Sequence, residues 1–287
     1  MGFFNFSNEN NECQDGGTKI VAFINQKGGV GKTTLAYNTA RALVEQGKKV
    51  LCIDMDPQSN LTLLFGKEDH AEENIFQLLI NSVRELKSLH TPCMVGDAIL
   101  KKEGMDLLPA SQDLSGFELM IAGISAPRQL ILKKFIEKNG LRDLYDVIII
   151  DSPPTLGLLV VNILCSSDGV MVPFRPDDFS KVGLTHFYNV LEDIEEMGIV
   201  KTPQVIAHIP NLVDSRRKQE VSDLEIIEHD SIERVEGVQM ATPFYNRSQL
   251  VKSLAQKKSV FEYHSKEFSP LRKKFSELAQ MIDDFSH

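Results

Sequence analysis

Short, wholly apolar runs alternate with longer amphipathic stretches along most of the chain. KIVAFIN (19–25) is β-branched and bounded by glycines, the pattern of a strand buried on both faces. KTTLAYNTARALVEQG (32–47) follows with helical spacing and stops at Gly47. KKVLCIDMD (48–56) predicts a second buried strand, MDLLPA (105–110) a weaker third, and YDVIIID (145–151) the strongest of all. DGVMVPF (168–174), PQVIAHIP (203–210) and GVQMATP (237–243) complete the series. Helices are expected over about 128–139, 157–166, 178–197, 217–229, 246–257 and 267–285. Such alternation predicts one α/β domain over 18–287, a mostly parallel twisted sheet with helices on both faces. Ligands of that architecture bind beyond the carboxyl ends of the strands.

Two segments break the rhythm. Residues 1–17 are rich in Asn and end in Gly16-Gly17, which reads as a flexible tail. Residues 67–104 begin with a probable-helix pattern, ENIFQLLINSVRELKSL, and continue as HTPCMVGDAILKKEG, a loop with a short element. An excursion of that kind is a surface insertion or a partner-docking surface.

The first strand runs into QKGGVGKTT (26–34), a glycine-rich loop that opens a helix. Backbone N–H groups from Gly28, Gly29, Val30 and Gly31, with those of the helix start at Lys32, Thr33 and Thr34, form an anion cradle. In the P-loop pattern, Lys32 reaches the β- and γ-phosphates and Thr33 ligates Mg²⁺. The pattern would put glycine at Gln26, and a second lysine, Lys27, follows instead. Asp151, at the end of the strongest strand, and Asp54, at the end of the second, are candidate Mg²⁺ ligands. Asp56, where the chain turns at Pro57, is placed to orient an attacking water.

Composition narrows the setting. The 287 residues are 42% hydrophobic and 25% charged, a globular balance. No apolar run approaches the roughly 20 residues that span a bilayer. Four scattered cysteines argue against a disulfide framework or structural zinc, and point to a reducing, cytoplasmic setting. Net charge is −9, yet residues 247–274 hold eight basic and two acidic side chains. That asymmetry predicts a surface for an anionic partner.

KGGVGKTT, DMDPQSN and DVIIIDSPPTLGLLVVNIL, in that order, closely resemble the deviant-Walker P-loop NTPases of the ParA/MinD group, and the small, Soj-like ParA branch best. The resemblance runs from about residue 19 to the C-terminus and is weakest over 67–104. It implies an ATPase using ATP and Mg²⁺, with Lys27 reaching across a sandwich homodimer to the partner subunit's phosphates. It also implies adenine contact by Asn211 and by the backbone of Pro243 and Phe244, although Phe244-Tyr245 replaces the usual Arg-Asn pair. A ParA-like role implies non-specific DNA binding on the nucleoid, for which Lys252, Lys257, Lys258, Lys266, Arg272 and Lys273 are the candidates. A ParB-like or adaptor protein would stimulate hydrolysis. With 17 residues ahead of the ATPase, no operator-binding domain is expected. The alternative, a MinD-like membrane ATPase, is disfavoured because the last helix ends in IDDFSH, whose aspartates oppose anionic lipid.

Overall fold

A computed structural model of the chain describes residues 17–66, 73–83, 94–125, 127–214, 216–234 and 238–286. The strands are β1 (Lys19–Phe23), β2 (Val50–Asp54), β3 (Leu100–Lys102), β4 (Met105–Leu108), β5 (Val147–Asp151), β6 (Gly169–Phe174), β7 (Gln204–Pro210) and β8 (Gln239–Met240). They form one sheet in the order β3-β4-β2-β5-β1-β6-β7-β8, parallel except for the β3–β4 pair at one edge. The helices are α1 (Lys32–Glu45), α2 (Asn60–Leu64), α3 (Ile75–Val83), α4 (Val95–Ala98), α5 (Phe117–Met120) and α6 (Ile131–Lys138). They continue with α7 (Leu141–Leu144), α8 (Leu158–Ser166), α9 (Asp178–Met197), α10 (Lys218–Arg234), α11 (Ser248–Ala255) and α12 (Ser269–Asp284).

Strand parity divides the core in two, because successive side chains point to opposite faces. Ile20 and Ala22, Leu51 and Ile53, and Ile148 and Ile150 join the layer under α3, α6, α8 and α9. Val21 and Phe23, Val50 and Cys52, and Val147 and Ile149 join the layer under α1 and α12. Counting on by two puts Asp54 and Asp151 on the α1 face, the face whose helix begins at Lys32. The two aspartates are register partners on adjacent strands. The sheet thus delivers both carboxylates to one end of one helix.

The expected strands and helices are all present, most with shorter bounds, although α9 spans the expected 178–197 and α10 runs on to Arg234. MDLLPA and GVQMATP contribute only four and two paired residues. The irregular insertion adds β3, an antiparallel edge strand that its sequence did not signal. The expected helix over 73–89 is described as α3, Ile75–Val83, and the expected tail lies outside the described residues apart from Gly17. Leu184, Phe187, Leu191 and Ile194 on α9 are buried core residues. So is the apolar stripe of α12, Leu271, Phe275, Leu278, Ile282 and Phe285, which packs on the domain. No described helix is long and apolar enough to cross a membrane.

His208 on β7 is fully buried, with its Nε2 2.8 Å from the Tyr188 hydroxyl and its ring edge-on to Phe174. Burial pushes its pKa down to about 4. An unfolded chain protonates this ring as pH falls below about 6.5, whereas the folded chain resists until about 4. The stabilisation is therefore complete above about pH 6.5 and is lost as pH falls towards 4. Comparing urea unfolding of the parent and His208→Gln at pH 7.5 and 5, the difference in stability should shift by about 2 kcal/mol in the variant's favour at the lower pH. An unchanged difference would show that the ring is not held neutral.

Candidate active site

The loop after β1 takes its shape from two glycines in the left-handed region, Gly29 (φ 73°) and Gly31 (φ 90°). Gly31 is also sterically required: a Cβ there would lie 2.2 Å from Nδ2 of Asn211. Gly28 adopts no such angle, so its part is backbone access rather than a special turn. Asn25 braces the loop, accepting from the Lys27 N–H at 2.8 Å and donating to the Pro173 carbonyl at 2.7 Å. From the other side Asn211 donates to the Val30 carbonyl at 2.8 Å. Lys32 is buried and donates to the Lys27 carbonyl at 3.3 Å. Burial lowers its pKa, against the opposing pull of Asp151 and Asp56.

Asp151 supplies the site's strongest anomaly. It is fully buried, and neither carboxylate oxygen has a hydrogen-bond partner of normal geometry. Burial and the nearby Asp54 drive its pKa well above the ordinary carboxylate range, while the Thr33 hydroxyl and Lys32 ammonium act in the opposite sense. A buried acid without donors is costly, and such groups are normally paired or coordinate metals. Two free carboxylate oxygens beside a threonine hydroxyl are the hard oxygen donors that suit Mg²⁺. Thr33 and Asp151 therefore fit the ion.

Asp54 is held differently. Its Oδ2 accepts from the Thr62 N–H and hydroxyl, both at 2.8 Å, and its Oδ1 from the Asp56 N–H at 3.1 Å. Its pKa is raised to about 6, chiefly by burial. With three hydrogen bonds accepted, Asp54 anchors the turn that presents Asp56. Asp56 is nearly buried and caps the turn through the Gln58 N–H at 3.0 Å. The turn continues into Ser59, which holds a left-handed φ of 54°.

The backbone groups of Pro243 and Phe244 are engaged within the chain. The Phe244 N–H donates to the Pro210 carbonyl at 2.8 Å and its carbonyl accepts from the Val213 N–H at 3.1 Å. Its ring is core, 5.0 Å from that of Phe275. The Pro243 carbonyl accepts from Lys274. Asn211, by contrast, keeps an unpartnered buried Oδ1.

Lys27 lies at the rim, half-buried, in an ion pair with Asp177. Asp177 caps α9 by accepting from the Ser180 N–H at 3.0 Å. Burial works against its charge, but the bonds from Lys27 and Ser180 prevail and hold its pKa below the ordinary range. Three participants escaped sequence reasoning: Asn25, Thr62 and Asp177. Only a helix-capping aspartate ahead of α9 was visible as a signal.

The six basic candidates fall between α11 and the first turns of α12. Lys252, Lys258, Lys266 and Lys273 are exposed. Lys257 and Arg272 are half-buried, and Arg272 donates to the Tyr263 carbonyl. Asn38 ties this stretch to α1: its Oδ1 accepts from Ser259 Oγ at 3.0 Å and the Val260 N–H at 2.9 Å. Its Nδ2 donates to the Thr34 carbonyl at 2.9 Å.

A family model described as an AAA domain matches residues 18–203. The chain is 37% identical over 197 residues to the chromosome-partitioning ATPase Soj of Thermus thermophilus, covering 68% of this chain and 70% of that protein. It is 31% identical over 223 residues to the chromosome partitioning protein ParA of Myxococcus xanthus, covering 76% and 71%. The chain belongs to the ParA family of P-loop ATPases. Among solved structures, this ParA family member is similar to cobyrinic acid a,c-diamide synthase from Mycobacterium smegmatis with bound ADP and magnesium. That likeness has a TM-score of 0.73 at 28% identity, covering 93% of this chain and 96% of the other.

The unpartnered carboxylate sets up a trade of stability for function. Asp151→Asn should raise the melting temperature of the ligand-free protein and abolish the further rise on adding ATP with Mg²⁺, both read by scanning calorimetry. A lower ligand-free melting temperature, or a preserved nucleotide-dependent rise, would contradict the role given to Asp151.

Proposed function

We propose that the protein is a ParA-like ATPase whose ATP-bound homodimer holds DNA without sequence preference and positions a large cargo. The observation that carries this reading is the pairing of one buried lysine with a second at the rim of the same loop. Lys32, Thr33 and Asp151 supply a complete cis set for a triphosphate with Mg²⁺, and Asp56 stands beside it to orient water. The ion when bound would neutralise charge developing on the transferred phosphoryl group.

Lys27 is then surplus to its own site. Its ammonium, near the N-terminus of α9, suits the phosphates of a second subunit, as an arginine finger does in other NTPases. Asp177 neutralises Lys27 within a single chain, so dimer closure exchanges one carboxylate for a triphosphate carrying more charge. Hydrolysis weakens the exchange and releases the pair. Lys252, Lys257, Lys258, Lys266, Arg272 and Lys273 would displace counterions from DNA phosphates. Asn38 of α1, bonded to Ser259 and Val260, couples the helix that follows the loop to the segment between Lys258 and Lys266. Asn211 Oδ1 is an acceptor suited to the exocyclic amino group of adenine. A ParB-like or adaptor protein would stimulate turnover, and the location would be the cytoplasm, on the nucleoid.

Light scattering after gel filtration tests the closure. With ATP and Mg²⁺ the parent should elute as a dimer and Lys27→Ala as a monomer that still binds ATP, while Lys32→Ala should bind none. Asp56→Ala should accumulate as a persistent ATP dimer; hydrolysis at the parental rate would remove Asp56 from the water-positioning role.

DNA retention is a separate test. With ATP, log affinity should fall linearly with log salt, with a slope of about −0.9 per phosphate neutralised. Changing Lys252, Lys258 and Lys273 together to Ala should flatten that slope by about 2 to 3. Equal DNA binding in ATP and ADP would contradict the nucleotide switch.

A further inference from the structure

The topology fixes which way a nucleotide lies. Asp151 on β5 and Asp56 after β2 mark the metal and γ-phosphate end, on one side of the loop that follows β1. Asn211, after β7, grips the same loop from the other side at Val30 and Gly31. With the phosphates in the cradle, the nucleoside is directed over the ends of β7 and β8.

Three features converge there. Asn211 is 2% exposed with an unpartnered Oδ1. The next residue, Leu212, holds a left-handed φ of 57°. Strained backbone beside an unsatisfied buried acceptor is the signature of a ligand-binding turn rather than of a structural one. The third feature is Tyr245. Its backbone bridges to Val213, two residues beyond Asn211, and the Asn246 N–H donates to the Val213 carbonyl at 3.4 Å. Its neighbour Phe244 is sunk in the core, whereas Tyr245 remains 38% exposed. The ring is also backed by a cation: Lys274 Nζ lies 5.2 Å from its centroid and donates to the Pro243 carbonyl.

We propose that Tyr245 is the platform on which the purine base of the bound nucleotide stacks. An aromatic ring held by a bridged backbone and a cation needs little ordering to receive a base, and a π-face accepts any base. Stacking on Tyr245 would therefore supply affinity, while Asn211 Oδ1 supplies the preference for an amino-bearing purine. The inference rests on the nucleotide-site reading and adds the residue that holds the base.

The chain contains no tryptophan, so Tyr245→Trp introduces one reporter into the full-length protein. ADP and ATP should quench the introduced indole, whereas inorganic tripolyphosphate, which fills the cradle without a base, should displace ADP and restore the emission. Tyr245→Ala should weaken ADP binding about tenfold or more, and Tyr245→Phe should stay within about twofold of the parent. If ADP raises the melting temperature of Tyr245→Ala at parental affinity and leaves the indole emission unchanged, the base does not stack there and the proposal fails while the nucleotide site stands. If neither ADP nor tripolyphosphate stabilises the parent protein, the nucleotide site itself is overturned.

Discussion

The structure depends on one unresolved charge, the Asp151 carboxylate at the centre of the sheet. It has no hydrogen-bond partner of normal geometry, it neighbours a second buried acid, and it sits on the face occupied by the helix that begins at Lys32. Everything around it reduces a cost that folding alone does not remove. Thr62 and the Asp56 N–H take up the charge of Asp54, so the two acids are not equally exposed to one another. Lys32 lies buried against the loop with Asp151 and Asp56 nearby, so water screens its ammonium little. What is left over is a shaped demand for a cation, and the phosphate cradle supplies the place where one would arrive with its ligand.

Two acids at the same register position thus have different tasks, and the difference comes from packing rather than residue type. Asp54 is satisfied by a helix turn that follows it in sequence. Asp151 is followed by Ser152-Pro153-Pro154, and the prolines have no N–H with which to satisfy a neighbouring acid. A comparable division separates the two lysines. Lys32 is enclosed by its own loop, whereas Lys27 is paired at the surface with a helix cap.

The sheet and most helices were legible because buried parallel strands leave uninterrupted apolar runs, and the strand-loop-helix context marked the glycine-rich loop as the candidate cradle. Parity alone brought Asp54 and Asp151 to the α1 face. The tasks within that pair were not legible, because the Thr62 clamp depends on where α2 folds back, eight residues away. The Asp177 partner of Lys27 was hidden for the same reason: 150 residues separate them. The hydrogen bonds that engage Phe244 were not legible either, because a likeness of sequence says nothing of which backbone groups a neighbouring strand has claimed. β3 escaped because its three residues, Leu100–Lys102, are too few to show alternation.

Asn38 bears on how the molecule can be cut. The matched family region ends at residue 203, yet a helix inside that region presents its buried amide oxygen to Ser259 and Val260. A fragment stopping at the end of the match would strand that oxygen in an apolar layer and strip α1 of the covering helix α12. Deletion from the C-terminus should therefore yield insoluble chains rather than a smaller working enzyme.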